Sequence, residues 1–464
     1  MTFHFVYRIF KGLVKARPSE VVAMLWSFGY FFCLLCGYYI LRPVRDEMGI
    51  QAGVENLQWL FTGTFVAMLA AVPVFGWISS RIPRRQFLPG IYLFFAFNLL
   101  VFFALFETGT APTATARAFF IWLSVFNLFV VSVFWSFMAD LFNNSQARRL
   151  YGFIAAGGST GAIAGPLITT KMAPVVGPTA LLPISACFLL ISVICIMRLS
   201  IWSRRPKDAT SRNGIDRRQP IGGSIFGGIS LLLRSEYLLG IALYMVLFTL
   251  LSTFLYFQQA YIIAETIPDT GDRTALFALI DLVVNGLTLL GQLLIVSRII
   301  GRFGVTLTLI LMPVVAIFGF FFLGLFPTLA VLIVFGTVRR AGEYALSKPA
   351  REVLFTVVSR EEKYKVKNFI DTAVVRGGDA VSGWLFEGLR LLGASLSGIS
   401  FVAVPIAVLW ASTAYLLGQR QEQLRAALNA KRTYPANDNK PETPNDPQNG
   451  SGTQPATSPY AGSG

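Results

Sequence analysis

Apolar stretches of roughly 20 residues recur from one end of this chain to the other, each long enough to cross a hydrocarbon core about 30 Å thick. They fall near 21–41, 57–79, 87–107, 117–139, 150–172 and 179–202, and again near 237–264, 274–300, 304–325, 328–347, 366–392 and 396–418. In lipid, every backbone N–H and C=O has to be satisfied inside the protein, so such stretches fold as helices or as closed barrels. A barrel would show alternating strands of about ten residues, whereas these runs are continuous. The pattern predicts an all-α integral membrane protein with twelve transmembrane helices. A chain that is 54% hydrophobic, with 41 Phe and a mean hydropathy of +0.61, lies outside the soluble range.

The loops test that count through the positive-inside bias. One set is rich in bases: Lys11, Lys15 and Arg17, then Arg81, Arg84 and Arg85, then Arg148 and Arg149. It continues through the basic stretch 203–220, Arg298 and Arg302, the segment 360–367, and Arg420 to Arg432. The alternate set is poor in bases: 107–116 and 326–327 have none, and 264–272 is acidic. Lys171 and Arg390 depart from the pattern. The alternation keeps register with twelve spans and places both termini in the cytoplasm. The net charge of +15 is therefore mostly a topology signal with some attraction for anionic lipid. Bases scattered over separate short loops do not make a nucleic-acid surface, so no nucleic-acid partner is expected.

Residues 203–220 divide the spans six and six. The organisation expected is a six-helix half over 1–202, a cytoplasmic linker with an interfacial helix over 203–235, a second six-helix half over 236–420, and a tail over 421–464. That tail is rich in Pro, Asn, Gly and Ser beyond about 434 and is expected to be mostly disordered. The first span is too long for a signal-peptide core and should remain uncleaved. Ser80-Arg81-Ile82-Pro83-Arg84-Arg85 matches Ser297-Arg298-Ile299-Ile300-Gly301-Arg302 at an offset of 217 residues, which suggests parallel repeats of the two halves.

Chemistry of the enzymatic kind is not visible. The only histidine is His4, and no phosphate-binding glycine loop is present. Gly157, Ser159 and Gly161 fit G-x-S-x-G, but they lie inside an apolar span, where Gly157, Gly161 and Gly165 read better as a small-residue face for helix packing. Cys33 and Cys36 sit in the first span without further ligands and read as structural thiols. Neither enzyme, cofactor nor metal is expected.

The conspicuous residues are charges beside or inside the spans, which are expensive there and mark function by default. The pattern basic-Pro-x-Arg-acidic occurs at Arg42–Asp46 and at Lys348–Glu352, at the outer end of the first span and the inner end of the tenth. In the first copy Arg42, Arg45, Asp46 and Gly49 share a helix face, so Arg42 and Asp46 can pair and leave Arg45 free for an anion. The apolar run 328–338 covers only about half a bilayer, so the tenth helix must continue through Arg339, Arg340 and Glu343. There Arg339 and Glu343 can pair, leaving Arg340 for another partner. The eleventh span carries Asn368, Asp371, Arg376 and Asp379, and the eighth carries a polar stripe of Asp281, Asn285, Thr288 and Gln292. Asp281 is a candidate proton or cation site and, equally, a polar interhelical contact.

Three short segments make a family resemblance. Tyr39-Ile40-Leu41-Arg42-Pro43-Val44-Arg45-Asp46, Gln146-Ala147-Arg148-Arg149-Leu150-Tyr151-Gly152, and Pro349-Ala350-Arg351-Glu352 with Lys365-Val366-Lys367-Asn368-Phe369-Ile370-Asp371 resemble the nucleotide (ATP/ADP) translocase family. That family is a relative of the major facilitators, known from plastids and intracellular bacteria. The resemblance implies alternating-access exchange or uptake of a nucleotide-like anion, in a bacterial inner membrane. Arg45 and Arg351 stand where the family has lysines, and Gly378-Asp379 stands where it has Gly-Lys, replacing a base with an acid. The segment from Gly76 to Arg85 also resembles the major-facilitator loop motif G-x-x-x-D-R-x-x-R-R/K, with Ser80 in place of its Asp.

The expected function is secondary transport of an anionic organic solute. Arg42, Arg45, Arg340 and Arg351 would bind it. Asp46, Asp281, Glu343, Glu352, Asp371, Arg376 and Asp379 would pair charges or couple ions. Gly76, Arg81, Arg84, Arg85, Arg298 and Arg302 would form the gating loops. The partners implied are the bilayer, the solute, and a coupling proton or counter-substrate; the sequence carries no signal for oligomeric state. The alternatives left open are proton-coupled efflux of a hydrophobic or cationic compound, and a non-transporting scaffold or sensor.

Overall fold

A computed structural model describes residues 17–81, 84–203, 227–294 and 296–433, and they are almost entirely helical. The first half of the chain gives α1 (Pro18–Gln51), α2 (Leu57–Arg81), α3 (Arg84–Glu107), α4 (Pro112–Leu141), α5 (Asn144–Val176) and α6 (Leu181–Ser203). A short α7 (Gly227–Leu233) follows the linker and packs against α8 (Glu236–Thr266) and α13. Then come α9 (Thr270–Leu294), α10 (Val296–Leu325, kinked at Gly304), α11 (Leu329–Gly342), α12 (Lys348–Leu354), α13 (Arg360–Phe369), α14 (Val375–Leu391) and α15 (Leu396–Thr433). Wide π turns, Glu343–Ser347 and Ile370–Val374, join α11 to α12 and α13 to α14 into two continuous runs.

Among the described residues nine helices are long and apolar enough to cross a membrane: α1–α4, α6, α8–α10 and α15. Three further helical runs lack that uniform hydropathy: α5, α11–α12 and α13–α14. These are the stretches in which the sequence places glycines or charges. The bundle is inside-out by soluble standards. Phe94, Phe97, Leu293 and Phe318 are exposed, while Glu20, Glu47, Arg273, Asp281 and Arg339 are buried. A solvent of hydrocarbon accounts for both, since it welcomes an apolar rim and penalises charge at the surface.

The helix α1 is the axis of the first half. It packs on α4, α5 and α6, and also reaches α8 and α9 of the second half. Its closest neighbour is α5, and small residues permit the approach. A Cβ at Gly157 would lie 2.5 Å from the Phe28 carbonyl oxygen, one at Gly165 2.6 Å from that of Cys36, and one at Gly161 would meet that of Phe32. Backbone-to-backbone packing of this kind substitutes for the hydrophobic driving force that lipid removes. The halves meet along α5–α9, α1–α9, α1–α8 and α2–α14, which brings the charged parts of α1, α9, α11 and α14 towards one another.

The first π turn has a local cause. Pro349 has no N–H to give the carbonyl of Ala345, and its ring crowds that carbonyl, so the helix widens just before it. Such wide turns concentrate at functional sites.

Candidate functional site

The site is assembled from α1 outward. Because α1 runs on to Gln51, Arg42 is nine residues from its end, roughly 13 Å inside the bundle. From there it reaches α9, with Nη1 3.6 Å from Oδ1 of Asp281. Arg340 of α11 binds the same oxygen. One almost fully buried carboxylate therefore holds an arginine from each half, and its second oxygen, Oδ2, has no hydrogen-bond partner. The Tyr39 ring lies 5.9 Å from the Arg42 guanidinium.

One turn further on, Arg45 pairs with the adjacent Asp46 (3.5 Å) and lies 4.4 Å over the ring of Phe120 from α4. Tyr256 of α8 donates its hydroxyl to Oδ1 of Asp46 at 3.0 Å. On α14, Arg376 pairs with Asp379 (3.4 Å), whose other oxygen accepts from Thr253 of α8 at 3.2 Å. Arg45, Arg376 and Asp379 line an open cleft between the halves, walled by Phe61, Phe65 and Phe120 with the hydroxyls of Thr64 and Ser124. The Thr64 hydroxyl and Nε of Arg45 are buried and without a partner. Chemically this is a place for a carboxylate, sulfonate or phosphate oxygen, which the guanidinium fork holds well, beside an aromatic surface.

The remaining residues singled out in the sequence lie nearer the end of the bundle at which α1 begins. Arg351 of α12 donates to Sδ of Met245 (3.0 Å) and lies 3.8 Å from Asp371. Glu352 accepts from Lys367 at 2.6 Å. Glu343 falls in the first π turn. Gly76 and Arg81 sit at the end of α2 and Arg84 and Arg85 at the start of α3, but their side chains lie outside the described residues, as does most of the linker and the tail from 434. Arg298 and Arg302 are exposed near the start of α10. Among the described residues no cluster of three or more His, Cys, Asp or Glu is placed to hold a metal.

Two pairings differ from the sequence-based expectation. Arg42 does not pair with Asp46; it reaches Asp281, and Asp46 holds Arg45 instead. Arg339 does not pair with Glu343 among the described residues; its Nη1 donates to Ser252 of α8 at 2.8 Å. In both cases a group on a neighbouring helix outcompetes the i+4 partner, because inside a bundle a second helix is as near as the next turn. Arg340 does take a partner from elsewhere, and Arg376 does pair with Asp379. Of the polar stripe on α9, Asn285 donates to the Ala162 carbonyl of α5 (2.7 Å) and Gln292 to that of Tyr344 (3.3 Å), so both are interhelical contacts. The first basic-Pro-x-Arg-acidic segment is not at a mouth of the bundle but inside it.

Sequence reasoning passed over three features. Glu47 is fully buried and binds Arg273 of α9 through two bonds of 2.8 and 2.7 Å. Glu20 binds Arg149 and Gln146, the residues that head the second resemblance segment. Tyr256 and Phe120 complete the surroundings of Arg45. The one available signal was Arg273 itself, a base beside an otherwise acidic connection.

A bundle of apolar helices with arginines and carboxylates paired around a cleft in its centre is the arrangement expected of a solute-transporting membrane protein. The Major Facilitator Superfamily model matches residues 23–345, and the chain belongs to that superfamily. It is accordingly a multi-pass membrane transporter. Solved structures share the fold at low identity. The nucleoside transporter NupG is 12% identical, with 88% of this chain and 99% of that one covered at a TM-score of 0.58. The POT family transporter PepTSo is 14% identical, with 88% and 98% covered at 0.58. A bacterial homologue of the human lysosomal transporter Spinster, in an inward-facing and unoccupied conformation, is 13% identical, with 88% and 99% covered at 0.57. No curated protein sequence matches the chain.

Proposed function

We propose that this protein is a secondary active transporter that moves an anionic organic solute, nucleotide-like or another phosphate or carboxylate compound, across a bacterial inner membrane by alternating access. The observation that carries the reading is the convergence of Arg42, Arg45, Arg340 and Arg376 between the halves, deep in an apolar bundle. Guanidinium groups are costly at that depth, and four of them in two neighbouring groups serve a ligand better than they serve stability. With both termini cytoplasmic, the end near Gln51 and Thr270 faces outward and the Arg351–Asp371 and Lys367–Glu352 pairs face the cytoplasm. Arg351 would then be the inner station of the anion path.

The test is uptake into proteoliposomes of labelled nucleotides, phosphorylated metabolites and carboxylates, with and without a pH gradient. Arg45→Ala and Arg340→Ala should each cut the flux at least about tenfold, the loss of one charge-assisted contact. Absence of flux for every anion would sink the reading, and flux indifferent to Arg45→Ala and Arg351→Ala would keep transport but remove these residues from the path. One observation favours the second reading, proton-coupled efflux of a cationic compound: Asp379 itself lines the cleft. A cation carried only when a pH gradient is imposed would select it.

A further inference from the structure

The two parts of α1 answer to different halves of the molecule. Up to Ile40 the helix packs backbone to backbone on α5, where Gly157, Gly161 and Gly165 meet it and Thr169 donates its hydroxyl to the Ile40 carbonyl at 3.4 Å. From Arg42 onward its polar links run to the second half. Arg42 reaches Asp281 of α9, Asp46 accepts from Tyr256 of α8, and Glu47 accepts from Arg273 of α9. Just beyond, Arg117 of α4 holds the Ala52 carbonyl at 3.2 Å. The stretch between these anchors is soft at both ends. Pro43 has no N–H to give the Tyr39 carbonyl, and Gly53 turns the chain at a φ of 93°. Helices bend most readily at such points.

Within this stretch three consecutive residues face three ways. Successive side chains on a helix are turned by about 100°, so Arg45 faces the cleft and Phe120, Asp46 faces α8, and Glu47 faces α9. Asp46 is at once the counter-charge of Arg45 and the acceptor of Tyr256. We infer that residues 43–51 are a relay, in which the Arg45–Asp46 pair sets whether Glu47 stays on Arg273. Whatever draws Arg45 away into the cleft thereby releases the buried pair that joins the halves beyond it. This rests on the transport reading above and adds how the cleft governs a gate. The Asp46 side chain is only 11% exposed, and a carboxylate so placed that loses its guanidinium has to gain water. Arg376, the other guanidinium of the cleft, is held by Asp379. The turn bearing Asp46 therefore moves, and Glu47, on the same rigid turn, moves with it. That turn is the element with two positions, engaged on α8 and α9 or released from them, which coupling between two sites requires.

The reporter is Gln58→Cys, at a position buried against α14 just past the relay, in a chain whose exposed Cys187 is replaced by Ser. Its labelling by an impermeant maleimide is followed in proteoliposomes with no solute added. Arg45→Ala stands in for the withdrawn arginine and should raise the rate about tenfold. Arg45→Ala with Asp46→Asn leaves no bare carboxylate and should return the rate to within about twofold of the parent. Tyr256→Phe removes the other hold on Asp46 and should also raise the rate about tenfold. Added to Glu47→Gln, it should change the rate by less than about twofold, because one turn cannot be released twice. The two routes into the same turn cover the case in which one variant does not fold. Unchanged labelling in either folded variant overturns the relay, as does a Tyr256→Phe effect that multiplies in full with Glu47→Gln, or a double Arg45–Asp46 variant that fails to recover. Responsive labelling without uptake of any anion would keep the relay and remove the transport reading. Uptake with unresponsive labelling would do the reverse.

Discussion

The two ends of the bundle use the same chemistry to opposite purposes. At the end near Gln51, ion pairs and ring contacts join one half to the other. Arg273 forks onto Glu47, gives two more bonds of 3.0 Å to the carbonyls of Ile267 and Pro268, and Gln51 donates to Glu47 at 3.1 Å. Beside it the Trp384 ring stands edge-on to Trp59 at 4.7 Å and its Nε1 donates to Thr62 at 3.0 Å. At the end where α1 begins, Arg149–Glu20 stays within the first half, and Lys367–Glu352 and Arg351–Asp371 stay within the second. Pairs that cross between the halves clasp them, and pairs that stay inside a half stiffen it as a body. A bundle that, among the described residues, is clasped at one end and only stiffened at the other is what rocking of two rigid halves requires.

The largest effect should come from the clasp. Glu47 is fully buried and Arg273 nearly so, and removing one partner of a buried, hydrogen-bonded pair leaves a charge without compensation, at a cost of about 3–5 kcal/mol. Glu47→Gln or Arg273→Gln should therefore open the distal end. A cysteine placed at Gln58, now buried against α14, should become reactive to an impermeant maleimide at a rate raised by two orders of magnitude or more. The exchange Glu47→Arg with Arg273→Glu should recover part of the protection. Equal labelling in all variants would show that the pair does not hold the halves together.

Pairs within a half should behave differently. Arg149 makes a two-pronged contact to Glu20, with bonds of 3.1 and 3.0 Å, and Gln146 adds one of 3.1 Å. Arg149→Ala should lower the thermal stability of the detergent-solubilised protein, by about 1.5–3 kcal/mol on the scale of bonds to charged groups, and leave distal labelling unchanged. The α1–α5 contact makes the same point without charge. Gly161→Ala puts a methyl against the Phe32 carbonyl and should cost about 1–3 kcal/mol of overpacking, again with no change at the distal end. Distal exposure in either variant would erase the distinction between clasping and stiffening contacts.

How much of this the sequence discloses depends on the kind of force involved. Apolar length and loop charge point to the helices, because lipid leaves the backbone no other choice. Asp281, Arg340, Arg376 and Asp379 stand out because charge is rare in such runs. Their partners do not follow from spacing. The i+4 rule pairs Arg42 with Asp46, yet Asp281 lies 239 positions away and wins, since a buried carboxylate on the adjoining helix offers what a flexible neighbour cannot. Glu47 hides behind Asp46 in a run of charges, and Phe120 is one of 41 phenylalanines, so neither announces that it faces α9 or Arg45. The basic loops are legible as topology, but what their side chains touch is not.

The smallest effect worth measuring is at Thr62, where the clasp can be weakened without disturbing a charge. Its hydroxyl accepts the indole N–H of Trp384 and in turn donates to the Gln58 carbonyl at 2.8 Å, so it relays α14 onto the backbone of α2. Thr62→Val keeps the shape and removes the acceptor. A neutral bond of this type contributes about 0.5–1.5 kcal/mol, and the partly exposed indole can turn to other acceptors, so the lower figure applies. Distal maleimide labelling should rise only about two- to threefold, against the hundredfold at Glu47. Trp384→Phe should match it, because it removes the donor and keeps a ring against Trp59. If Thr62→Val opened the distal end as fully as Glu47→Gln, the clasp would be a single cooperative unit in which the ion pair has no special share, and the contrast between the two ends would rest on packing and not on charge.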